Sequence, residues 1–165
     1  MTTQEPIRPT TIEQLRGLIG QELGPTDWHE VTQQQIDAFA DATGDHQWIH
    51  VDPVAAANGP FGATIAHGLL TLSLGPVFMA RLIGFGGFAH ALNYGYNKVR
   101  FPAPVPVGSR IRMRATVETV TETRNGHQVT TNLVLERDGS DKPVLAAQAV
   151  AVVAENPTQD KEHIP

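Results

Sequence analysis

Apolar positions recur at helical spacing up to about residue 84 and alternate with polar ones beyond it, so the chain divides into a helical part and a stranded part. Ile12, Leu15, Leu18 and Ile19 follow a Thr11 cap and predict a short helix ending near Gly20. Trp28 to Val31 reads as a short strand. Thr32-Gln33-Gln34-Gln35 then has the form of a capping box, Ile36, Phe39 and Ala40 make a buried stripe, and Gly44 can end that helix in a left-handed conformation. Asp52-Pro53 opens another helix, because Asp caps well and Pro is tolerated at the first helical position, and Asn58-Gly59-Pro60 closes it. From about His67 the run through Leu69, Leu70, Leu72, Leu74, Val77, Phe78, Met79, Leu82 and Ile83 is apolar around nearly its whole circumference. That pattern predicts a helix surrounded by protein. Pro76, which cannot donate to the carbonyl of Leu72, should kink or shorten it.

Past Gly84 the period becomes two. Leu92 to Phe101 reads as a strand, and the Pro-rich run Pro102 to Gly108 cannot lie inside a sheet and predicts a crossing loop. Ile111, Met113, Ala115, Val117 and Thr119 alternate with Arg110, Arg112, Arg114, Thr116 and Glu118; Asn125-Gly126 signals a hairpin, and Val129, Thr131, Leu133 and Leu135 alternate on the return. Asp138-Gly139 turns the chain into a last strand, Val144 to Val153. Helices followed by long antiparallel strands imply an α+β fold.

At 165 residues the chain is expected to form a single domain over 1-165, with a loose arm at about 1-10 and a loose polar tail at about 155-165. Twelve Lys and Arg against seventeen Asp and Glu give a net charge of -5, which offers nucleic acid or an anionic membrane no general attraction. With no cysteine, disulfides and thiol catalysis are excluded. The first residues lack the basic start and apolar run of a secretory signal, and the uncharged stretch Gly68 to Ala80 is too short to span a bilayer, so a cytoplasmic location is expected.

The chemistry concentrates between Phe39 and Pro53 and at His67-Gly68. Asp45 falls just past a helix end and His50 just before the next helix, so a constrained turn can bring a carboxylate and an imidazole together as an acid/base pair. Gly68, at the start of the apolar helix, offers an amide outside the helical ladder and no side chain to keep an oxygen away. Each also has a plain alternative: Asp45 as a turn cap, His50 as a hydrogen-bonded core histidine, Gly68 as a small packing residue. His67 reads as structural. Taken as a set, Asp45, His50 and Gly68 point to the addition or removal of water next to a carbonyl, with Gly68 stabilising the oxygen.

Gly44-Asp45, Ile49-His50, Asp52, His67-Gly68 and the downstream Tyr94 to Gly108 pattern with its Val-Arg-Phe-Pro-x-Pro-Val core resemble the signature of the MaoC-like, (R)-specific enoyl-CoA hydratase (hydratase-2) family, over about residues 28-153. Gln47-Trp48 stands where the motif has Asn-Pro, as in a single-domain nodulation-protein-N-like subgroup. A serine seen in some members is replaced by Pro76, which leaves Asp45 to find support elsewhere, with Ser73 the nearest candidate. The resemblance implies a hot-dog fold, a long central helix wrapped by a curved antiparallel sheet, assembled as a homodimer with the acyl tunnel between the two central helices. It implies reversible hydration of a trans-2-enoyl thioester to the (R)-3-hydroxyacyl thioester by Asp45, His50 and the Gly68 amide, with either carboxylate or imidazole as the base. The substrate would be an acyl-CoA or acyl-carrier-protein thioester, and no metal or redox cofactor would be needed. A hot-dog thioesterase and a non-catalytic acyl-thioester-binding or dehydratase subunit are the alternatives.

Three further patterns are set aside. His46, His50 and Asp52 or Asp45 imitate a two-histidine, one-carboxylate metal site. Gly84-Phe85-Gly86-Gly87-Phe88-Ala89 fits a dinucleotide fingerprint but follows a helix instead of a strand. Arg110, Arg112 and Arg114 read as the solvated face of a strand, although Lys98, Arg100 or Arg110 could meet a coenzyme A phosphate.

Overall fold

The computed structural model describes residues 5–124 and 126–156. Residues 1–4 of the expected arm, Asn125 of the hairpin turn and residues 157–165 of the expected tail lie outside them. Among the described residues, six strands, all paired antiparallel, form one sheet: β1 (Glu22–Leu23), β2 (His29–Glu30), β3 (His90–Arg100), β4 (Arg110–Thr123), β5 (Gly126–Arg137) and β6 (Leu145–Ala154). Their order is β1-β4-β5-β6-β3, with β2 also on β4. Thus β4, β5 and β6 run as a meander, while β3 crosses to the far edge and pairs with β6. The Pro-rich segment after β3 makes that crossing because its prolines cannot join a ladder. On β4, Ile111, Met113, Ala115 and Val117 face inward, and Val129, Thr131, Leu133 and Leu135 answer from β5. Register shifts at Val117/Thr119 in β4, and at Asn93/Gly95 and Tyr96/Lys98 in β3, are places where a sheet bends and twists around what it covers.

The helices are α1 (Ile12–Arg16), α2 (Gln33–Thr43), α3 (Trp48–Val51), α4 (Pro53–Ala57), α5 (Gly68–Ser73) and α6 (Gly75–Ala80). Leu70 and Phe78, from α5 and α6, join one core with Ile36 of α2 and Ile111, Met113, Leu133 and Val153 of the sheet. The expected long central helix is present as two short helices in succession. Pro76 breaks the ladder, Leu74 caps the first helix in a right-handed conformation, and the Phe78 N–H bonds back to the Leu74 carbonyl at 3.1 Å. Its all-round apolar surface is only half used within the chain: Leu70, Thr71, Gly75 and Phe78 are buried, while Leu69 and Val77 are exposed.

The amino-terminal arm also differs from expectation where it is described. Ile7 forms a bridge with Ile83, donating to Leu82 and accepting from Gly84 at 2.9 and 2.8 Å, so residues near it are tied to the end of α6. At the other end, Asn156 donates to the Gly87 carbonyl at 2.9 Å. No helix among the described residues is long and apolar enough to cross a membrane.

Candidate active site

The turn carrying Asp45 and His50 is built by three local devices. Thr32 accepts from the Gln35 N–H while the Gln35 side chain accepts from the Thr32 N–H, which fixes the start of α2. Gly44, at φ 78° and ψ 5°, ends α2 in the left-handed region and sends the chain sideways at Asp45. Asp52 Oδ1 accepts from the Val54 and Ala55 N–H groups at 3.0 and 2.9 Å, so α4 begins immediately after α3. His50 therefore sits in a single helical turn between two fixed ends.

Longer-range bonds lace this turn to residues 64–67. His50 Nδ1–H donates to the Ile65 carbonyl at 2.7 Å, which leaves Nε2 as the free nitrogen of a buried ring. The Ile65 N–H returns to the Ile49 carbonyl at 3.0 Å. Gln33 Nε2–H donates to the His50 carbonyl at 2.8 Å, and Thr64 Oγ1–H donates to Gln33 Oε1 at 2.5 Å. His67 Nε2–H donates to the Asp45 carbonyl at 2.9 Å. Segment 64–67 is itself held by the crossing loop, with Ala66 N–H to the Val105 carbonyl at 2.8 Å and Val107 N–H to the Thr64 carbonyl at 2.9 Å.

The result brings Asp45, His50 and His67 together, one polar side-chain atom from each lying within 4.8 Å of the others. The carboxylate is exposed and both imidazoles are buried. The His50 and His67 rings stack at 3.7 Å between centroids and 25° between planes. An ion must lie in the plane of each imidazole that ligates it, and two nearly parallel planes this far apart do not meet at bonding distance. The pose suits proton chemistry better than a shared metal. Beside His50 is a cavity of about 330 Å³ lined also by Phe61, Gly68, Thr71, Phe101 and Val105. Gly68 is the first residue of α5, so its N–H falls outside the helical ladder. A Cβ at this position would lie 3.0 Å from the Phe101 ring. The absent side chain is what lets Phe101 pack this closely on Gly68.

A MaoC-like domain model matches residues 14–138. The chain belongs to the MaoC-like dehydratase family. It is 48% identical over 141 residues to 3-hydroxyacyl-thioester dehydratase Z of Mycobacterium tuberculosis, covering 85% of this chain and 93% of that protein. It is 41% identical over 150 residues to nodulation protein N of Rhizobium meliloti, covering 89% and 93%. The unliganded R-hydratase PhaJ1 of Pseudomonas aeruginosa superposes with a TM-score of 0.66 at 23% identity, covering 84% of this chain and 83% of that one. The shared architecture is the hot-dog fold.

Within this MaoC-like dehydratase, the departures from the family motif have local explanations. Trp48, in the position of the usual proline, lays its ring over Gly59, where a Cβ would come within 2.9 Å of it. The indole thus ties α3 to the end of α4. Ser73 does not support Asp45: its hydroxyl donates to the Leu69 carbonyl of its own helix at 2.7 Å. Contact with Asp45 comes instead from the Gln47 N–H, at 3.4 Å from Oδ1, and from His67 on the carbonyl.

The set-aside patterns resolve as well. His46 turns outward to Asp41 at 2.9 Å, and this hydrogen bond holds its imidazole above the usual histidine range. Asp52 is occupied as a helix cap. No helix opens after Gly84-Phe85-Gly86, as a dinucleotide site requires. Arg112 and Arg114 both pair with Glu136, at 2.8 and 3.0 Å, Arg114 also with Glu22 at 2.5 Å, and Arg110 with Asp138. Sequence reading quoted His67 in the His67-Gly68 motif and took it as structural, without its place in the cluster, and it missed Gln33 as the brace.

Proposed function

We propose that this protein catalyses the reversible, (R)-specific hydration of trans-2-enoyl thioesters to (R)-3-hydroxyacyl thioesters. The observation that carries the reading is the convergence of the Asp45 carboxylate with the imidazole of His50, whose Nδ1–H is committed to Ile65, beside a cavity that His50 and Gly68 both line. Family membership and the name of the mycobacterial relative support it.

Water is a weak nucleophile toward an unactivated double bond, so three things are needed. The Asp45/His50 pair takes a proton from water as its oxygen bonds to C3. The negative charge moves to the thioester oxygen, held by the Gly68 N–H. The pair then returns a proton to C2 on the same face, so its own proton count is unchanged over the cycle. His50, with Nδ1–H committed to Ile65, offers Nε2 as acceptor in its neutral form; Asp45 offers its oxygens. Positioned acid/base groups contribute about 10²–10⁴-fold, and an oxyanion donor about 10²–10³-fold. The reading uses no metal or redox cofactor, and coenzyme A or acyl carrier protein enters only as the carrier of the acyl group.

We further propose that the protein works as a homodimer in the cytoplasm. The deciding experiment follows loss of the conjugated enoyl absorbance with crotonyl-CoA and a longer homologue, together with chiral analysis of the product. Hydration giving the (R)-alcohol supports the reading. Release of free thiol would make the protein a thioesterase, and an inert, folded chain that binds acyl thioesters would make it a binding subunit.

A further inference from the structure

We infer that His67 is a positioning residue of the hydration reaction, holding the Asp45 main chain and the His50 ring in one fixed relation. The inference rests on the function proposed above. His67 is only 3% exposed and touches both members of the pair by different means. Its Nε2–H holds the Asp45 carbonyl at 2.9 Å. Its face lies on the His50 ring at 3.7 Å, and Phe39, near the end of α2, packs against it at 5.0 Å and 51°. As the residue that caps α5, it also leads directly into Gly68.

Neither an apolar ring nor an aliphatic amide combines these contacts. A phenylalanine would fill the space between Phe39 and His50 but could not hold the Asp45 carbonyl. A glutamine could donate but has no ring to fix the plane of His50. The imidazole does both and leaves Nδ1 buried with no hydrogen-bond partner among the described residues. Filling space alone would not favour an imidazole, because an apolar ring would strand nothing. The stranded nitrogen is the remainder of a side chain selected for its other nitrogen and its face. Because Asp45 is exposed and its other contacts are long, its N–H to Thr43 Oγ1 and the Gln47 N–H to its Oδ1 both at 3.4 Å, release of its carbonyl would let the carboxylate move relative to His50. A displacement of about 1 Å between reacting groups can lower turnover by about 10²-fold.

The test compares wild type, His67→Phe and His67→Gln in steady-state hydration of the enoyl thioester, with circular dichroism, melting temperature and sedimentation establishing that each variant is folded and assembled as wild type. The expected result is a fall in kcat of about 10–100-fold for His67→Phe with KM changed less than about threefold, and partial recovery of kcat in His67→Gln through its amide donor. In ¹⁵N-histidine-labelled wild type, His67 should show the Nε2–H tautomer and His50 the Nδ1–H tautomer. A folded His67→Phe with wild-type kcat, or the opposite His67 tautomer, would overturn the inference. A wild-type protein that binds the thioester without hydrating it would remove the proposed function, and this positioning role with it. If the phenylalanine variant fails to fold, the glutamine variant and the wild-type tautomers decide: full kcat in His67→Gln or the wrong tautomer rejects the role, while reduced kcat at unchanged KM with the expected tautomers supports it.

Discussion

His50 enters the site with Nδ1–H committed to the Ile65 carbonyl, and that bond leaves Nε2 as the nitrogen able to exchange a proton. His50→Gln removes the titratable nitrogen, and Asp45→Asn removes the charge while keeping the shape. Each variant should remain folded with turnover lowered by at least about 10²-fold in the enoyl hydration assay. Near wild-type rates in either folded variant would take that residue out of the mechanism. Asp45, His50 and Gly68 were legible in the sequence because what makes them candidates is local: a left-handed glycine before the aspartate, a cap after the histidine, a glycine opening a helix. The contacts of Gln33 and His67 were not. They reach across 17 to 31 residues, from Gln33 to His50 and Thr64 and from His67 to Asp45, and no periodicity reports such distances. The Trp48 departure was visible as a motif mismatch, but its consequence depends on where Gly59 lies, which only the fold reveals.

Among the elements, capped helices were readable, and of the two minimal strands β2 was, inside the expected Trp28 to Val31, while β1 was not. The capping box at Thr32, the turn at Gly44 and the Asp52-Pro53 start all formed as their chemistry dictates. Strand β1 is two residues long, too short to carry an alternation, and it exists because β4 offers it partners. The Asp52 cap gives a direct test, since its two hydrogen bonds start α4 without touching the reacting groups. Asp52→Ala should lower stability by about 1 kcal/mol in chemical denaturation, with kcat of the folded protein nearly unchanged. A loss of kcat matching that of Asp45→Asn would return Asp52 to the site. On the outer face of the sheet, burial pushes the Glu136 carboxyl upward, but hydrogen bonds from Arg112 and Arg114 more than offset this and hold it below the ordinary glutamate range. With the folded value depressed, the unfolded chain binds more protons in acid. The contribution of Glu136 is complete above the unfolded value and disappears as pH falls through the folded one. Glu136→Gln should therefore destabilise the protein at pH 7 by up to about 1 kcal/mol, and the difference should close as pH falls through the folded carboxyl's depressed value. A gap independent of pH would mean that packing, not charge, holds Glu136.

At the scale of the whole molecule, the apolar surface left uncovered predicts a second copy. Strand β3 is an edge strand of eleven residues, and Leu92 and Tyr94 on it are 59% and 75% exposed. The same excess explains why the run from His67 looked apolar all round: Leu69 and Val77 are exposed in the single chain, where a wholly enclosed helix would have buried them. Open edges invite pairing, and bulges and charges restrain it. Here two register shifts and the cations Lys98 and Arg100 occupy the later part of β3, so clean edge pairing is expected near His90–Asn93, with side-chain burial of Leu92, Tyr94 and the exposed helix face adding the rest. A two-fold arrangement satisfies all of these surfaces with one patch meeting its own copy. If the partner copy also walls the Asp45 site, assembly becomes a condition of activity as well as of stability. Sedimentation should give a dimer at micromolar concentration. Leu92→Glu combined with Tyr94→Lys should yield folded monomers that lose hydration activity although Asp45, His50 and Gly68 are untouched. A monomeric wild type with full turnover at the concentration of the assay would reject the dimer, and a dimer unaffected by those substitutions would move the interface off β3.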